Sequence, residues 1–471
     1  MKESTIKLSK KDIEFREFSL NGNMWSVILY VSAPLAVYQL INHVFNILDT
    51  LMAAQISSTA VSTVAYLSQL QMIIAAIGAG FATGSSIKIS QAYGAGDYEL
   101  VKKRLSSVVV ICLFLAILVL LLIPFTPILL KIAGTPEAFI NKGAKYFNIT
   151  LIATTMSFFN NIYISIERAR GNSKRIMYLN TSVIILKLFL TAIFVYKLNA
   201  DITMIAFASV ISQFLLLVVA VMILSKKNNV FGFSYKYISL KKSVIRPIIN
   251  LSIPVTIQRA GFFMGKVIVN SMAKKYGNLT VGALGISNNI NGLTTNAQIG
   301  FQDGGVSIIS QNIGAKKIDR ALKAFKVLLV INILIGFISW VFFNLFIDQI
   351  SYIFANSLVG FDGEFQQIIK NVYVYDSFGS CVPLGVNTAV TALLFAFDYS
   401  KLTLVINFIR IFAFRIPVLW ALQRFTTLGS ESVGIVMAIS NISVMFLSLI
   451  AAYYVIKKIK RSYTVIEKIT A

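Results

Sequence analysis

A succession of long apolar runs is the feature that most restricts what this chain can become. Twelve runs, each near or above the roughly 20 residues that cross a bilayer core, lie at about 24–51, 59–86, 105–130, 142–166, 176–197, 202–225, 246–273, 280–310, 322–350, 367–395, 402–422 and 432–456. Turn or charge signals such as Ala95-Gly96-Asp97, Gly171-Asn172-Ser173 and Lys226-Lys227-Asn228-Asn229 separate them. A membrane strand needs only about 10 residues and alternates in polarity, so length selects helices. The expected fold class is an all-α integral membrane protein with twelve transmembrane helices. Composition agrees. Of 471 residues, 56% are hydrophobic and 13% are charged, where a soluble domain carries about a quarter charged. That excludes a soluble enzyme, a disordered chain and a nucleic-acid-binding domain. The first 20 residues are polar, which argues against a cleavable signal peptide.

The charge balance reads as membrane orientation. The 43 Lys and Arg outnumber the 19 Asp and Glu, for a net charge of +24. Counting basic residues in the first or last few positions of a run with the connection beside it, thirty fall on the N-terminus, the even-numbered connections and the C-terminal tail, against eight on the odd-numbered connections. Such an asymmetry predicts a multi-pass protein of the cell (inner or plasma) membrane with both termini in the cytoplasm. It also accounts for the charge without a nucleic-acid partner.

An internal repeat runs through the chain. Ser32-Ala33-Pro34 recurs as Ser252-Ile253-Pro254, Gly80-Phe81 as Gly300-Phe301, and Ser90-Gln91-Ala92-Tyr93-Gly94-Ala95 as Ser310-Gln311-Asn312-Ile313-Gly314-Ala315. All are 220 residues apart, with 13 identities in 64 ungapped positions; later in each half the offset becomes 227. The offset spans six helices, so the copies are parallel repeats about an axis along the membrane normal. Two pseudo-symmetric six-helix lobes around a central cavity follow. The division is an N-terminal segment at 1–23, an N-lobe at 24–225, a basic cytoplasmic linker at 226–245, a C-lobe at 246–456 and a cytoplasmic tail at 457–471. Lobes of this kind can rock about a shared site, which points to transport by alternating access.

Charges inside a span are costly and need a partner or water. Span 1 carries Gln39, Asn42, Asn46 and Asp49 on one helical stripe, with His43 beside it. Asp49 is the candidate acid for binding a proton or sodium ion; the competing reading is a carboxylate that neutralises Lys187. A lone His such as His43 more often donates a hydrogen bond to a neighbouring helix. Span 5 carries Asn180, Lys187 and Thr191, and span 7 Arg259, Lys266 and Asn270. Span 8 carries Asn288, Asn291, Thr295, Gln298 and Gln302, with Asp303 adjacent. Span 10 adds Asp376, Ser380, Asn387 and Thr391, and span 11 adds Asn407, Arg410 and Arg415. The second lobe is the more polar. It suits either a cavity for a polar, zwitterionic or anionic solute touching Arg259, Lys266 and Arg410, or a salt-bridge lattice with Asp303 and Asp376 that fixes helix packing.

These residues and motifs resemble the multidrug and toxic compound extrusion (MATE) exporters of the wider multidrug, oligosaccharide-lipid and polysaccharide flippase superfamily. The similarity rests on Gly22-Asn23-Met24-Trp25 before Pro34, on Asn46-Ile47-Leu48-Asp49-Thr50, on the two Gln-x-x-Gly-Ala motifs, on Arg168-Ala169-Arg170-Gly171-Asn172-Ser173-Lys174 and on the Arg410 to Pro417 run. It implies efflux of small organic solutes driven by inward protons or sodium ions, a monomer in the lipid bilayer, and Asp49 as the coupling acid supported by Asn42, Asn46, Asn180, Lys187 and Thr191. Two positions depart from the family pattern. Lys187 and Thr191 stand where relatives often carry Asn and Asp, and Phe262 stands where some carry an acid. Protons on Asp49, an Asp49–Lys187 pair opened by substrate, and no coupling ion are the three schemes this leaves. The substrate cavity is expected to use Gln39, Arg259, Lys266, Asn288, Asn291, Gln298, Gln302, Asp303, Asp376, Asn387 and Arg410. A flippase for lipid-linked or anionic precursors is the alternative, and a receptor without turnover is a third. No catalytic constellation, cofactor or metal site is expected: there is one His, no Walker-type loop, and Cys112 and Cys381 lie in separate apolar runs.

Overall fold

The computed structural model describes residues 8–54, 58–132, 135, 137–198, 200–225, 229–357 and 360–470, without the side chains at 49–51, 53–54, 58–62, 65, 138–139, 141–142, 357, 360–361 and 463–470. It is built of helices. A short α1 (Lys10–Asn21) precedes α2 (Met24–Ala54), α3 (Ser58–Ala95), α4 (Tyr98–Leu120), α5 (Thr126–Ile132), α6 (Glu137–Ala169), α7 (Ser173–Ala192) and α8 (Ile202–Leu224). The second half holds α9 (Lys242–Ala273), α10 (Asn278–Gly314), α11 (Ile318–Leu345), α12 (Ile347–Ala355), α13 (Gly363–Ser380), α14 (Val382–Ala396), α15 (Ser400–Phe408), α16 (Ile416–Phe425) and α17 (Glu431–Thr470). Among the described residues the only strand pairing is two residues long, Asn356–Ser357 with Gly360–Phe361.

Among the described residues, twelve spans emerge when broken helices are joined. A 3-10 turn carrying Pro124 links α4 to α5, a break at Cys381 just before Pro383 separates α13 from α14, and a π-helical turn at Ile409–Arg415 joins α15 to α16. Among the described residues, ten spans are long and apolar enough to cross a membrane by composition alone. The other two are α9 and α10, equally long but interrupted by the polar residues singled out above. Several helices overrun the apolar runs on the face that carries the termini: α3 reaches Ala95, α10 reaches Gly314 and α17 reaches Thr470. Hydropathy ends at the headgroups, whereas backbone hydrogen bonding continues into water. Gly96 and Gly171, with φ of +78° and +75°, turn the chain after α3 and α6, a conformation that favours glycine.

The sequence repeat appears as a repeat of packing. In the first lobe α3 packs on α6, α6 on α8 and α2 on α7; in the second, α10 packs on α13 and α14, these on α17, and α9 on α15. Between lobes, α2 lies along α10 and α3 along α9, while α2 and α3 scarcely touch each other. Small residues permit this approach, as in membrane helix pairs generally. Gly304 rests on Ser32 and Gly84 on Ser252; Gly300 rests on Ala36 and Gly80 on Thr256. A Cβ on Gly94 would lie 2.0 Å from the Gln311 carbonyl oxygen, and one on Gly314 would lie 1.9 Å from that of Gln91. The two glutamines act symmetrically as well. Gln91 donates to the Ala396 carbonyl at 2.9 Å, and Gln311 donates to the Ala169 carbonyl at 3.0 Å. The repeated motif is thus the seam that closes the lobes on the basic face.

The polar N-terminal segment forms part of this seam. Arg16 on α1 donates to the carbonyls of Tyr93 (3.1 Å) and Gly94 (2.8 Å). Ser19 donates to Gln311 at 2.7 Å, and Arg320 reaches the Gly22 carbonyl at 2.8 Å. Asp12 accepts two hydrogen bonds from Arg170, at 3.0 and 3.1 Å. Burial works to lower the Arg170 pKa, but hydrogen bonds and charge from Asp12 and Glu167 outweigh it and raise it, so the guanidinium stays charged. The stretch after residue 228 is also anchored: the Ser234 and Ser239 amides donate to the hydroxyls of Ser106 and Ser107 on α4.

Candidate functional site

Among the described residues, three polar centres lie within the spans. The first sits on the pseudo-two-fold axis, a pocket of about 120 Å³ whose walls include Tyr38, Gln39, Thr83, Arg168, Arg259 and Asp303. Gln39 and Arg259 are repeat partners at the 220-residue offset, and so are Thr83 and Asp303. The axis therefore brings equivalent positions together, and the second lobe supplies charges where the first supplies neutral groups. Arg168 on α6 pairs with Asp303 on α10 at 3.0 Å, with side-chain exposures of 11% and 14%. Arg259 approaches the Thr83 hydroxyl at 3.5 Å, the outer limit of a hydrogen bond. Two guanidiniums against one carboxylate leave this site cationic. Gln39, Arg259 and Asp303 were expected in a cavity, whereas Arg168 was assigned to a connection because the apolar run ends before it. Its signal is the Arg168-Ala169-Arg170 motif, where α6 continues past the end of the apolar run as far as Ala169.

The second centre lies in the first lobe, a pocket of about 130 Å³ lined by Asn42, Phe45 and Asn46 of α2, Lys187 of α7, and Ser212 and Gln213 of α8. The stripes of spans 1 and 5 therefore meet. Asn180 and Thr191 are buried on the same helix as Lys187, and Asn180 donates to the Ile176 carbonyl of its own helix at 2.8 Å. Asp49 lies in α2, but its side chain falls outside the described residues, so the Asp49–Lys187 contact is not described. His43 Nε2 lies 3.0 Å from the Asn289 carbonyl oxygen of α10. That contact requires the proton on Nε2 and makes His43 a donor to the opposite lobe.

The third centre is a buried network in the second lobe. Asp376 accepts from Ser380 at 2.6 Å, from Ser287 at 2.7 Å and from Asn291 at 2.9 Å. Asn441 of α17 donates to Ser380 at 3.0 Å and accepts from both Arg410 and Arg415, the latter at 2.9 Å. In an α-helix, residues five apart point about 140° from each other. The π-helical turn brings Arg410 and Arg415 to one acceptor. Phe262 lies under two cations, with Lys266 5.2 Å and Arg410 5.5 Å from the ring centre, a favourable cation–π geometry. Ser287 and Asn441 belong to this network, as does Ser440, which accepts from Arg415 at 3.0 Å; Ser440 and Asn441 lie in a largely apolar stretch of α17.

Other expected cavity residues lie in packing positions. Gln298 is fully buried and donates to the carbonyls of Cys381 (2.8 Å) and Asn332 (3.2 Å), satisfying the break between α13 and α14. Asn387 accepts from Ser448 at 2.8 Å, and Asn288 donates to the Leu284 carbonyl of its own helix at 2.8 Å. Gln302 is half-buried on α10. Among the described residues no group of three or more His, Cys, Asp and Glu is placed to hold a metal ion, and Cys112 and Cys381 are buried free thiols.

Twelve spans in two repeated lobes, with charged groups on their common axis, define a two-lobed membrane transporter. The MatE family model matches residues 34–193 and 254–421, once in each lobe. The chain belongs to this family of multi-pass membrane transporters. It is 22% identical to "Probable multidrug resistance protein YoeA" of Bacillus subtilis (strain 168) over 444 residues, 92% of this chain and 94% of that protein. Among solved structures, a MATE protein in complex with MaL6 superposes with a TM-score of 0.90 at 18% identity, covering 96% of this chain and 100% of the other. A multidrug resistance MATE transporter in an outward-facing conformation gives a TM-score of 0.89 at 18% identity, covering 97% and 100%.

Proposed function

We propose that this protein exports small organic solutes across the plasma membrane by alternating access, driven by inward protons or sodium ions, with its termini in the cytoplasm and as a monomer. The observation that carries the reading is the symmetric seam. Gln91 with Gly314, and Gln311 with Gly94, close one face at matching backbone contacts between lobes, and contacts of this kind can part without unfolding either lobe. The Arg168–Asp303 pair joins the lobes above the seam and parts with them. The axial pocket, with Gln39 and Arg259, is the solute site. Its excess of guanidinium favours solutes with an anionic or zwitterionic group.

Coupling belongs to the first-lobe pocket. Asp49 binds the ion, and Lys187, beside Asn42 and Asn46, is the switchable cation that competes for it. An ammonium near a carboxylate lowers its proton affinity, so movement of Lys187 would gate uptake of the ion. Efflux from proteoliposomes under a pH gradient, and separately under a sodium gradient, tests the scheme. Asp49→Asn is expected to lose gradient-driven efflux while still binding solute, and Lys187→Ala to shift the ion dependence. Efflux by Asp49→Asn at the wild-type rate removes Asp49 from coupling.

A further inference from the structure

Off the axis, the basic face holds a cavity of about 940 Å³, and nothing in the transport cycle above uses it. Its mouth carries Lys242 and Arg246 of α9 and Lys401 of α15, all exposed. Leu251, Leu402 and Val405 form an apolar wall, and Val405 is 51% exposed. Lys88 of α3 also lines the cavity, ion-paired with Asp398 at 2.5 Å. Four cations thus share the cavity with one carboxylate, and that carboxylate is committed to Lys88. Among the described residues no carboxylate lies within ion-pair distance of Lys242, Arg246 or Lys401.

Orientation in the membrane explains why basic residues collect on this face. It does not explain why three of them ring a cavity at the starts of two helices. Helices α9 and α15 both begin here without a side-chain cap. The first turn of a helix is its positive end, where cations are disfavoured and anions favoured. Lys242 and Lys401 stand in those first turns and Arg246 one turn further on, so an anion between them would offset both the side-chain repulsion and the two dipoles. The apolar wall beside the cations fits an alkyl tail.

We propose that this cavity binds a phosphate-bearing amphiphile, an anionic phospholipid of the leaflet on the basic face, with its phosphate among Lys242, Arg246 and Lys401 and its acyl chain along Leu402 and Val405. The walls come from both lobes, since Lys88 belongs to the first and α9 and α15 to the second. An occupant that reaches across to Lys88 as well would favour the closed seam by its differential affinity.

The test uses the full chain in detergent, with lipid adducts counted by native mass spectrometry and thermal stability followed in parallel. Phosphatidylglycerol is expected to bind and stabilise, phosphatidylcholine not. The triple variant Lys242→Ala/Arg246→Ala/Lys401→Ala should weaken phosphatidylglycerol binding about tenfold or more, while Lys323→Ala/Lys326→Ala on α11 leaves it unchanged. Lys401→Glu alone should weaken it in the same direction if the triple variant is poorly folded. Displacement of the lipid by millimolar inorganic phosphate would keep the phosphate chemistry and assign the site to soluble phosphates instead. Undiminished phosphatidylglycerol binding in the triple variant, or an equal loss in the α11 variant, overturns the proposal.

Discussion

Single side chains decide how the lobes are charged. The Arg168–Asp303 pair crosses the lobe boundary in a nearly buried setting. Removing one partner there strands a charge, at a cost on the order of 2–5 kcal/mol, whereas changing both costs less. Asp303→Asn and Arg168→Gln should each lower the thermal unfolding temperature, and the double variant should recover part of the loss. Strict additivity in that cycle would show that the pair is not coupled. Phe262 supports two cations at once. Phe262→Leu keeps the volume approximately and removes the π face, for an expected loss of about 1–2 kcal/mol in the same unfolding measurement.

Elements carry the seam and the network. Gly94 and Gly314 admit backbone from the opposite lobe and nothing larger. Gly94→Val and Gly314→Val should abolish efflux while leaving expression and helical content intact, because the clash lies between the lobes and not within them. Efflux at half the wild-type rate or better would show that the seam need not close as described. In the second lobe, Asn441 is the shared acceptor for Arg410 and Arg415. Hydrogen bonds to charged groups are worth about 1.5–3 kcal/mol each, so Asn441→Ala should destabilise by roughly 3 kcal/mol or more. Asn441→Ser is expected to be milder, a ranking that denaturant or thermal scans can check.

At the scale of the whole molecule, thirty basic residues on one side against eight on the other predict where each connection lies. Reporter fusions after residue 471 and within the 226–245 linker should report the cytoplasm, and a fusion in the 356–361 connection the opposite side. A linker fusion that reports the outside would reverse the assigned direction of transport. The twelve spans, the two lobes and the repeat axis were legible in the sequence because hydropathy, length and a fixed offset are properties of the linear chain. Partial blindness came where polarity and span overlap. Arg168 read as a loop residue, and Ser287, Ser440 and Asn441 gave no sign of joining the network around Asp376, since their partners are far away in sequence.

What the amino-acid order determined is the class of fold, because a bilayer admits few arrangements for runs of this length, and which polar residues sit on one stripe of a helix. Only the tertiary structure decided which stripes meet. Gln39 and Thr83 line one pocket with their repeat partners because both lie along the axis. Gln298 instead closes a broken helix, and Arg410 is drawn away to Asn441 by a π-turn. Helical periodicity records the face a side chain occupies on its own helix. The neighbour across that face depends on how long-separated helices pack, and in this protein small residues at the lobe interface set that distance.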